Sequence, residues 1–385
     1  MHAQSPDPRA PLGPAARAAS AARRLAARAA RNPAAAPIVQ LSKTPGTFIT
    51  FDAPGAATGP FQGTVAVSIN PAGEILGYSF LSNGFMAAFL RNIDGTFNTF
   101  NVPGALLYAA AFSGEGPAGS SLNPAAEATG GYVDPNFVVH GFVRDPEGAI
   151  TTFDAPGAGT IVGSFQGTTP LAINPAGEVT GYYFDTNFFV HGFFRDLHGA
   201  VTDFDAPGAS AACFFGLTVP SGINAAGDIT GNYSDSECNP HGFLRERNSA
   251  VTVVDVPNFI GTFPEVINDA GEIAGFGFDG TGAEHGFVRD NGGAFTLFDT
   301  PNVRDFLNMD INPAGVIAGT YLDANLVSHG FQRAADGTVT TIDVPGAGTG
   351  LFQGTSPESI NPAGAITGSY LDANGVFHGF LFLPQ

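Results

Sequence analysis

The chain contains no tryptophan, one lysine (Lys43), two cysteines and three methionines among 385 residues. It also has no apolar run long enough for a transmembrane helix, so no membrane span is expected. Two thiols cannot complete a four-ligand zinc site, and no histidine stands at zinc-finger spacing from them. Cys213 and Cys238 are left as a disulfide or as two free thiols. Phosphate loops, HExxH, the GxSxG elbow and a strand-nested GxGxxG are missing. No complete catalytic set can therefore be assembled from motifs, and any enzyme reading rests on carboxylates alone.

Basic charge is scarce and unevenly placed. Residues 1–35 are Ala/Arg-rich and hold six of the fifteen basic residues, with Asp7 as their one acid. They are expected to form a disordered or weakly helical tail, since arginine interrupts any apolar region of the kind a secretion signal needs. The remainder holds 33 acids against nine bases. Such a surface repels nucleic acid and anionic membranes, so no nucleic-acid partner is expected.

The plentiful residues are Gly (52), Phe (35) and Pro (29), which suit an all-β chain with many tight turns. A unit recurs, clearest as "LAINPAGEVTGYYFDTNFFVHGFFRDLHGAVTDFDAPG" over residues 171–208. Its "IN" asparagine falls at Asn70, Asn123, Asn174, Asn224, Asn268, Asn312 and Asn361, giving seven copies. Each reads as four short strands, with "NPAG" as a type I turn after the first. Residues 47–54, "TFITFDAP", match a fourth strand with no first three before it. Residues 359–382 supply three strands with no fourth after them. The ends complete one another, which predicts a seven-bladed β-propeller over residues 36–385, closed by the N-terminal strand pairing with the last blade.

The recurring "INPAGEVTGYY…HGF" pattern resembles the HAF-type repeat over about residues 47–385. That resemblance implies a β-propeller outside the cytoplasm and supplies no catalytic residues. The first copy departs from it, with Ala87-Ala88 where His-Gly stands elsewhere.

The tripeptide His-Gly-Phe begins at His140, His191, His241, His285, His329 and His378. On third strands, about 4.8 Å per strand spacing puts these histidines on a wide ring. Six positions on such a ring cannot converge on one ion, which needs nitrogens at about 2.1 Å. They are read as joints, each bonding a backbone carbonyl or an aspartate where blades meet. Asp134, Asp185, Asp235, Asp279, Asp323 and Asp372, with Leu81 in the first copy, are read as Asx-turn caps. No cofactor is expected; calcium is the alternative, with Asp185, Asp323 and Asp372 as its candidate ligands. Arg91, Arg144, Arg195, Arg245, Arg289 and Arg333 are read as edge partners for acidic side chains.

Function is sought where copies differ. Before the "IN" element the fifth, sixth and seventh copies carry Glu265, Asp310 and Glu358, candidate catalytic carboxylates at an axial mouth. Arg304 and Asp305 join them as ligand-binding candidates, with Phe137, Phe188 and Phe189 as sugar-stacking rings. The loop of residues 105–121 is read as packing across the first blade or covering the axial mouth. Cys213 and Cys238 fall on one face, where a disulfide is sterically feasible. The expected function is an extracellular or envelope-associated binding or scaffolding module, monomeric, recognising a protein or glycan on its loop face. The alternative is a carbohydrate-active hydrolase or lyase.

Overall fold

The computed structural model describes residues 43–105, 108–109, 121–211, 218–300 and 303–385. The tail of residues 1–35, Cys213 and nearly all of the loop 105–121 lie outside the described residues. Among the described residues there are strands and turns and no helix, so none is long and apolar enough to cross a membrane.

The strands form five antiparallel-built sheets. Three hold four strands each; for instance Thr218–Ile223, Ile229–Ser234, Pro240–Arg245 and Val251–Val253 lie side by side in chain order. Two hold eight strands, each made of two four-strand groups joined by a single parallel residue pair, Val139 with Gly167 and Ser328 with Gly354. In the second of these, strand Gly46–Phe51 pairs along its whole length with Phe377–Pro384, from Gly46 opposite Pro384 to Phe51 opposite Gly379. The chain's two ends thus share one sheet.

Strands formed by β-branched and aromatic residues bury one face against the next sheet. Ala172 and Ala206 of one copy pack with Ile223, Ile229, Tyr233 and Phe243 of the next. A matching cluster joins the first copy to the last, with Ala66, Ile69 and Ile75 against Ala365, Phe51 and Leu381. The HGF phenylalanines, Phe142, Phe193, Phe243, Phe287, Phe331 and Phe380, are fully buried, as is Phe89 in the first copy. The preceding glycine is required by close approach: a Cβ at Gly192 would stand 2.9 Å from Pro220 Cγ of the following copy.

The arginines differ from expectation. Arg144 lies over Phe100, Arg195 over Phe153 and Arg333 over Phe298, each 5.0–5.3 Å from a ring of the preceding sheet. Arg91 covers Phe51 of the N-terminal strand at 4.8 Å. Their planar cations fasten sheet to sheet through π faces rather than carboxylates. Burial lowers the pKa of Arg91, Arg195 and Arg333 accordingly.

The "IN" asparagines form a second fastening. Each Oδ1 accepts amides of its own turn, as Asn123 does from Ala125 and Glu127. Six of the seven Nδ2 groups reach the next copy: Asn123 donates to the Asn174 carbonyl, Asn174 to Asn224, Asn224 to Asn268, Asn268 to Asn312, Asn312 to Asn361, and Asn361 to Asn70. The last link runs from the end of the chain to its beginning.

The glycine ending each NPAG turn has positive φ, 90° at Gly73 and 85° at Gly177. The second copy places Ala126 there at φ 63°. An L-residue in this region costs about 1–2 kcal/mol. Ala126→Gly is therefore expected to stabilise the protein by up to about 1 kcal/mol, net of the glycine's freedom when unfolded, read as a raised denaturation midpoint.

The turns following the asparagines and those following HGFxR emerge at one end of the strands, here the turn face. The second-to-third loops and the connections between copies emerge at the other, the loop face.

Candidate functional site

The six histidines are held inside their own sheets. Each Nδ1 meets the aspartate fourteen residues on, at 2.9 Å for His140 with Asp154 and 2.8 Å for His241 with Asp255. His191, His285 and His329 bond Asp205, Asp299 and Asp343 in the same way. Nε2 faces the aspartate six residues back, from 3.3 Å for His241 with Asp235 to 3.9 Å for His191 with Asp185. For His378 the Nδ1 partner is Asp52, from the N-terminal strand, at 2.9 Å. Five imidazoles also lie against a tyrosine ring, such as Tyr370 with His378 at 5.0 Å. In the fifth copy Gly277 replaces that tyrosine, and Phe259 supplies the ring against His285 at 5.7 Å.

The hydrogen bond that His140 donates to Asp154 raises its pKa, and the one His329 donates to Asp343 does the same. His241 is also raised: burial lowers it, but Asp255 and Asp235 together prevail. The inner aspartates cap their loops as expected, Asp185 Oδ1 accepting the amides of Asn187 and Phe189. The other oxygen takes the Asn187 amide group at 3.2 Å. Asp323 and Asp372 repeat this pattern. The calcium candidates are thus occupied by their own loops, and among the described residues no three acidic, imidazole or thiol groups converge as metal ligands.

Sequence reasoning missed the second aspartate of each clamp, although its spacing was visible. The first copy replaces every member together: Leu81, Ala87 and Asn101 stand for the two aspartates and the histidine, and Ser79 for the tyrosine.

The carboxylates grouped in the sequence are split by the structure. Glu265 and Glu358 are the bulged residues of strands Phe259–Ile267 and Gly354–Ile360, skipped in the pairing between Pro264 and Val266 and between Pro357 and Ser359. A bulge turns its extra side chain out of the sheet's alternation. Both side chains are surrounded by protein while part of their surface stays open. Burial pushes each up to about 8, Glu358 against a 2.7 Å bond from Asn308. Burial, with the Glu358 charge, also raises the Tyr78 phenol.

In the sixth copy the skipped residue is Leu307, so Asp310 stays in register opposite Ala318. Its Oδ2 accepts from Ser359 Oγ at 3.0 Å and the Ile360 amide at 2.9 Å. Asp310 is a buried joint between neighbouring copies, raised to about 6 by burial. Arg304 and Asp305 are turned to each other, Nε to Oδ2 at 3.3 Å, with both side chains largely buried. Phe137 packs its ring 5.4 Å from Phe165, and Phe137, Phe188 and Phe189 are all half-buried. Cys238 is disulfide-bonded.

Two cavities lie on the turn face, away from the candidates named from the sequence. One of about 390 Å³ opens between the third and fourth copies, lined by Glu178, Asp196, His198, Arg245 and Arg247 among others. A smaller one of about 160 Å³ recurs between the fifth and sixth, with Glu272, Asp290 and Arg333 at the corresponding positions.

No protein-family model matches the chain, and no curated protein matches its sequence. Solved structures do. The β-propeller domain of the trilobed protease from Pyrococcus furiosus, described as having an open velcro topology, is 10% identical, with 83% of this chain and 95% of that one covered and a TM-score of 0.56. A prolyl endopeptidase is 13% identical, with 91% of this chain and 50% of that one covered and a TM-score of 0.51; the present chain spans about half its length. At such identities the likeness shows the fold alone, a β-propeller.

Proposed function

We propose that the chain is a seven-bladed propeller of four strands per blade, closed by its N-terminal strand. In this reading it acts as a monomeric, extracellular or envelope-associated module that recognises a protein or glycan on its loop face without transforming it. The blade count is supported by seven "IN" asparagines and by the bonds that lead from Asn361 back to Asn70. The bonded state of Cys238 supports an oxidising compartment. The family proposal remains the HAF-type repeat, and no cofactor belongs to the reading.

One observation carries the recognition role. The connections between copies, and the irregular start of strand Phe259–Ile267, hold up apolar side chains, with Phe61 65%, Val162 72%, Leu351 62% and Ile260 59% exposed. Apolar tips on a rigid ring of variable loops suit a macromolecular surface. The competing reading, a hydrolase or lyase, draws on Glu265 and Glu358, whose raised pKa suits a proton donor.

The test screens the intact chain against envelope protein fractions and a glycan array, while turnover of acidic and neutral polysaccharides is followed in parallel. Retention without turnover is expected, weakened at least tenfold by the combined change Phe61→Ser, Val162→Ser and Leu351→Ser. Turnover abolished by Glu265→Gln or Glu358→Gln would establish the enzyme instead.

A further inference from the structure

The turn-face cleft between the third and fourth copies is built differently from its smaller counterpart. Glu178, just before the second strand of the third copy, has a side chain only 2% exposed. It accepts Asn174 Nδ2 at 2.8 Å and both terminal nitrogens of Arg247 at 2.9 and 3.1 Å. A two-point pairing of this kind fixes the guanidinium plane. Glu178 is therefore a positioning residue, and Arg247, 59% exposed, presents its outer edge to the cleft.

Opposite stands the turn Asp196-Leu197-His198 of the third copy. Asp196 Oδ1 accepts the amides of His198 and Ala200, which holds the carboxyl below the usual range. Asp196 itself lines the cleft. His198 is the one histidine among the described residues outside the HGF clamps, and it is exposed, as is Leu197 at 53%. Arg245, bonded to Ser249 at 2.9 Å and lying over Phe204 at 4.7 Å, closes the floor. In the counterpart cleft the equivalents of Arg247, Leu197 and His198 are Ala335, Asn291 and Gly292, and the volume is less than half.

We propose that this cleft binds a neutral, hydroxyl-rich ligand, a sugar ring at the end of a glycan, and that Arg247, Asp196, His198 and Leu197 hold it. Its volume of about 390 Å³ lies in the small-molecule range of about 300–1,000 Å³. Two carboxylates face two guanidiniums, so the cleft is charge-balanced within a body carrying a large negative excess. An anionic ligand meets that field on approach, and a cation meets the paired arginines. A hydroxyl does neither, since it accepts from a guanidinium N–H and donates to a carboxylate, and the cleft offers both. Leu197 and the imidazole supply a surface for the C–H face of a ring. The inference stands apart from the loop-face reading and needs no contact there.

The test places the full chain on an array of neutral glycans and of glycans bearing uronate or sulfate, then titrates the strongest responder by calorimetry. Neutral sugar binding is expected, weakened at least tenfold in Leu197→Asp and in His198→Ala. Both changes lie on an exposed turn and should leave the melting temperature unaltered. Asn291→Asp, in the counterpart cleft, is expected to leave affinity as it was. Binding that ignores Leu197→Asp and His198→Ala would overturn the cleft assignment. Binding confined to uronate or sulfate glycans would overturn the ligand class. No response from any glycan at millimolar concentration would overturn the proposal entirely.

Discussion

Removing residues 1–52 is expected to disrupt the fold, with the melting temperature falling by roughly 10 °C or more and the product aggregating. Three losses coincide in that deletion. Strand Gly46–Phe51 takes with it six paired residues along Phe377–Pro384 and leaves that strand as a bare edge. Phe48, 4.8 Å from Phe382, and Phe51, 6.4 Å from Phe89 of the first copy, are lost from two sheet contacts. Covering large apolar side chains contributes about 1.5–3 kcal/mol each. Asp52 no longer meets His378, and Arg91 loses the ring it covers. Milder variants grade the effect: Phe48→Ala is expected to cost about 3 kcal/mol, Asp52→Ala about 1 kcal/mol. Light scattering and thermal melts read both, and an unchanged melting temperature in the truncated monomer would refute the argument.

Stability is expected to peak near pH 5 and to fall toward pH 8. Glu265 and Glu358 titrate near 8 in the folded chain, against an ordinary value of 4.5. A folded-state pKa raised in this way means the unfolded chain releases protons first as pH climbs through 4.5. Stability then declines until pH 8, by up to about 1.4 kcal/mol per pH unit for each group. Asp310, near 6, adds to the same slope between 4 and 6. The raised histidines act in the same direction. The contributions of His140, His241 and His329 are complete below the unfolded value of 6.5 and are lost as pH rises through the folded one. On the acid side Asp235 and Asp279, held near 2 by hydrogen bonds to Asn239 and Thr281, lose their contributions as pH falls below about 4. Glu265→Gln and Glu358→Gln are expected to raise the melting temperature at pH 8 by roughly 5 °C together and to change it little at pH 5. Identical pH slopes in wild type and the double variant would show that these carboxyls are not held protonated.

Much of the strand order was legible because the period and its turns are printed into the residues. "NPAG" announces a reversal, the HGF glycine announces a neighbour's proline, and the unmatched segment at 47–54 announces its berth. The joints between sheets were less legible. Arg195 reads as a charge in one dimension, and only the fold places Phe153 beneath it. Asp310 and Glu358 look alike in sequence, yet Asp310 stands two residues before its asparagine, in register opposite Ala318, while Glu358 stands three before, at the bulge. The turn-face cleft was illegible for a similar reason. Glu178 and Arg247 are 69 residues apart, and neither belongs to a motif that pairs them. The clamp aspartates at His plus fourteen were available to the eye, and the simultaneous loss of all members in the first copy was the signal that they act together.

The head-to-tail strand pairing is the claim on which the ring depends, and hydrogen exchange measures it directly. The amides of Ile49 and Phe51, on the alternate positions of this outer strand that face Phe377–Pro384, are expected to exchange as slowly as those of Thr367 and Phe380 in the final sheet, protected to the level of global unfolding. Exchange of Ile49 and Phe51 at the rate of a frayed terminus, with Phe380 still protected, would contradict it.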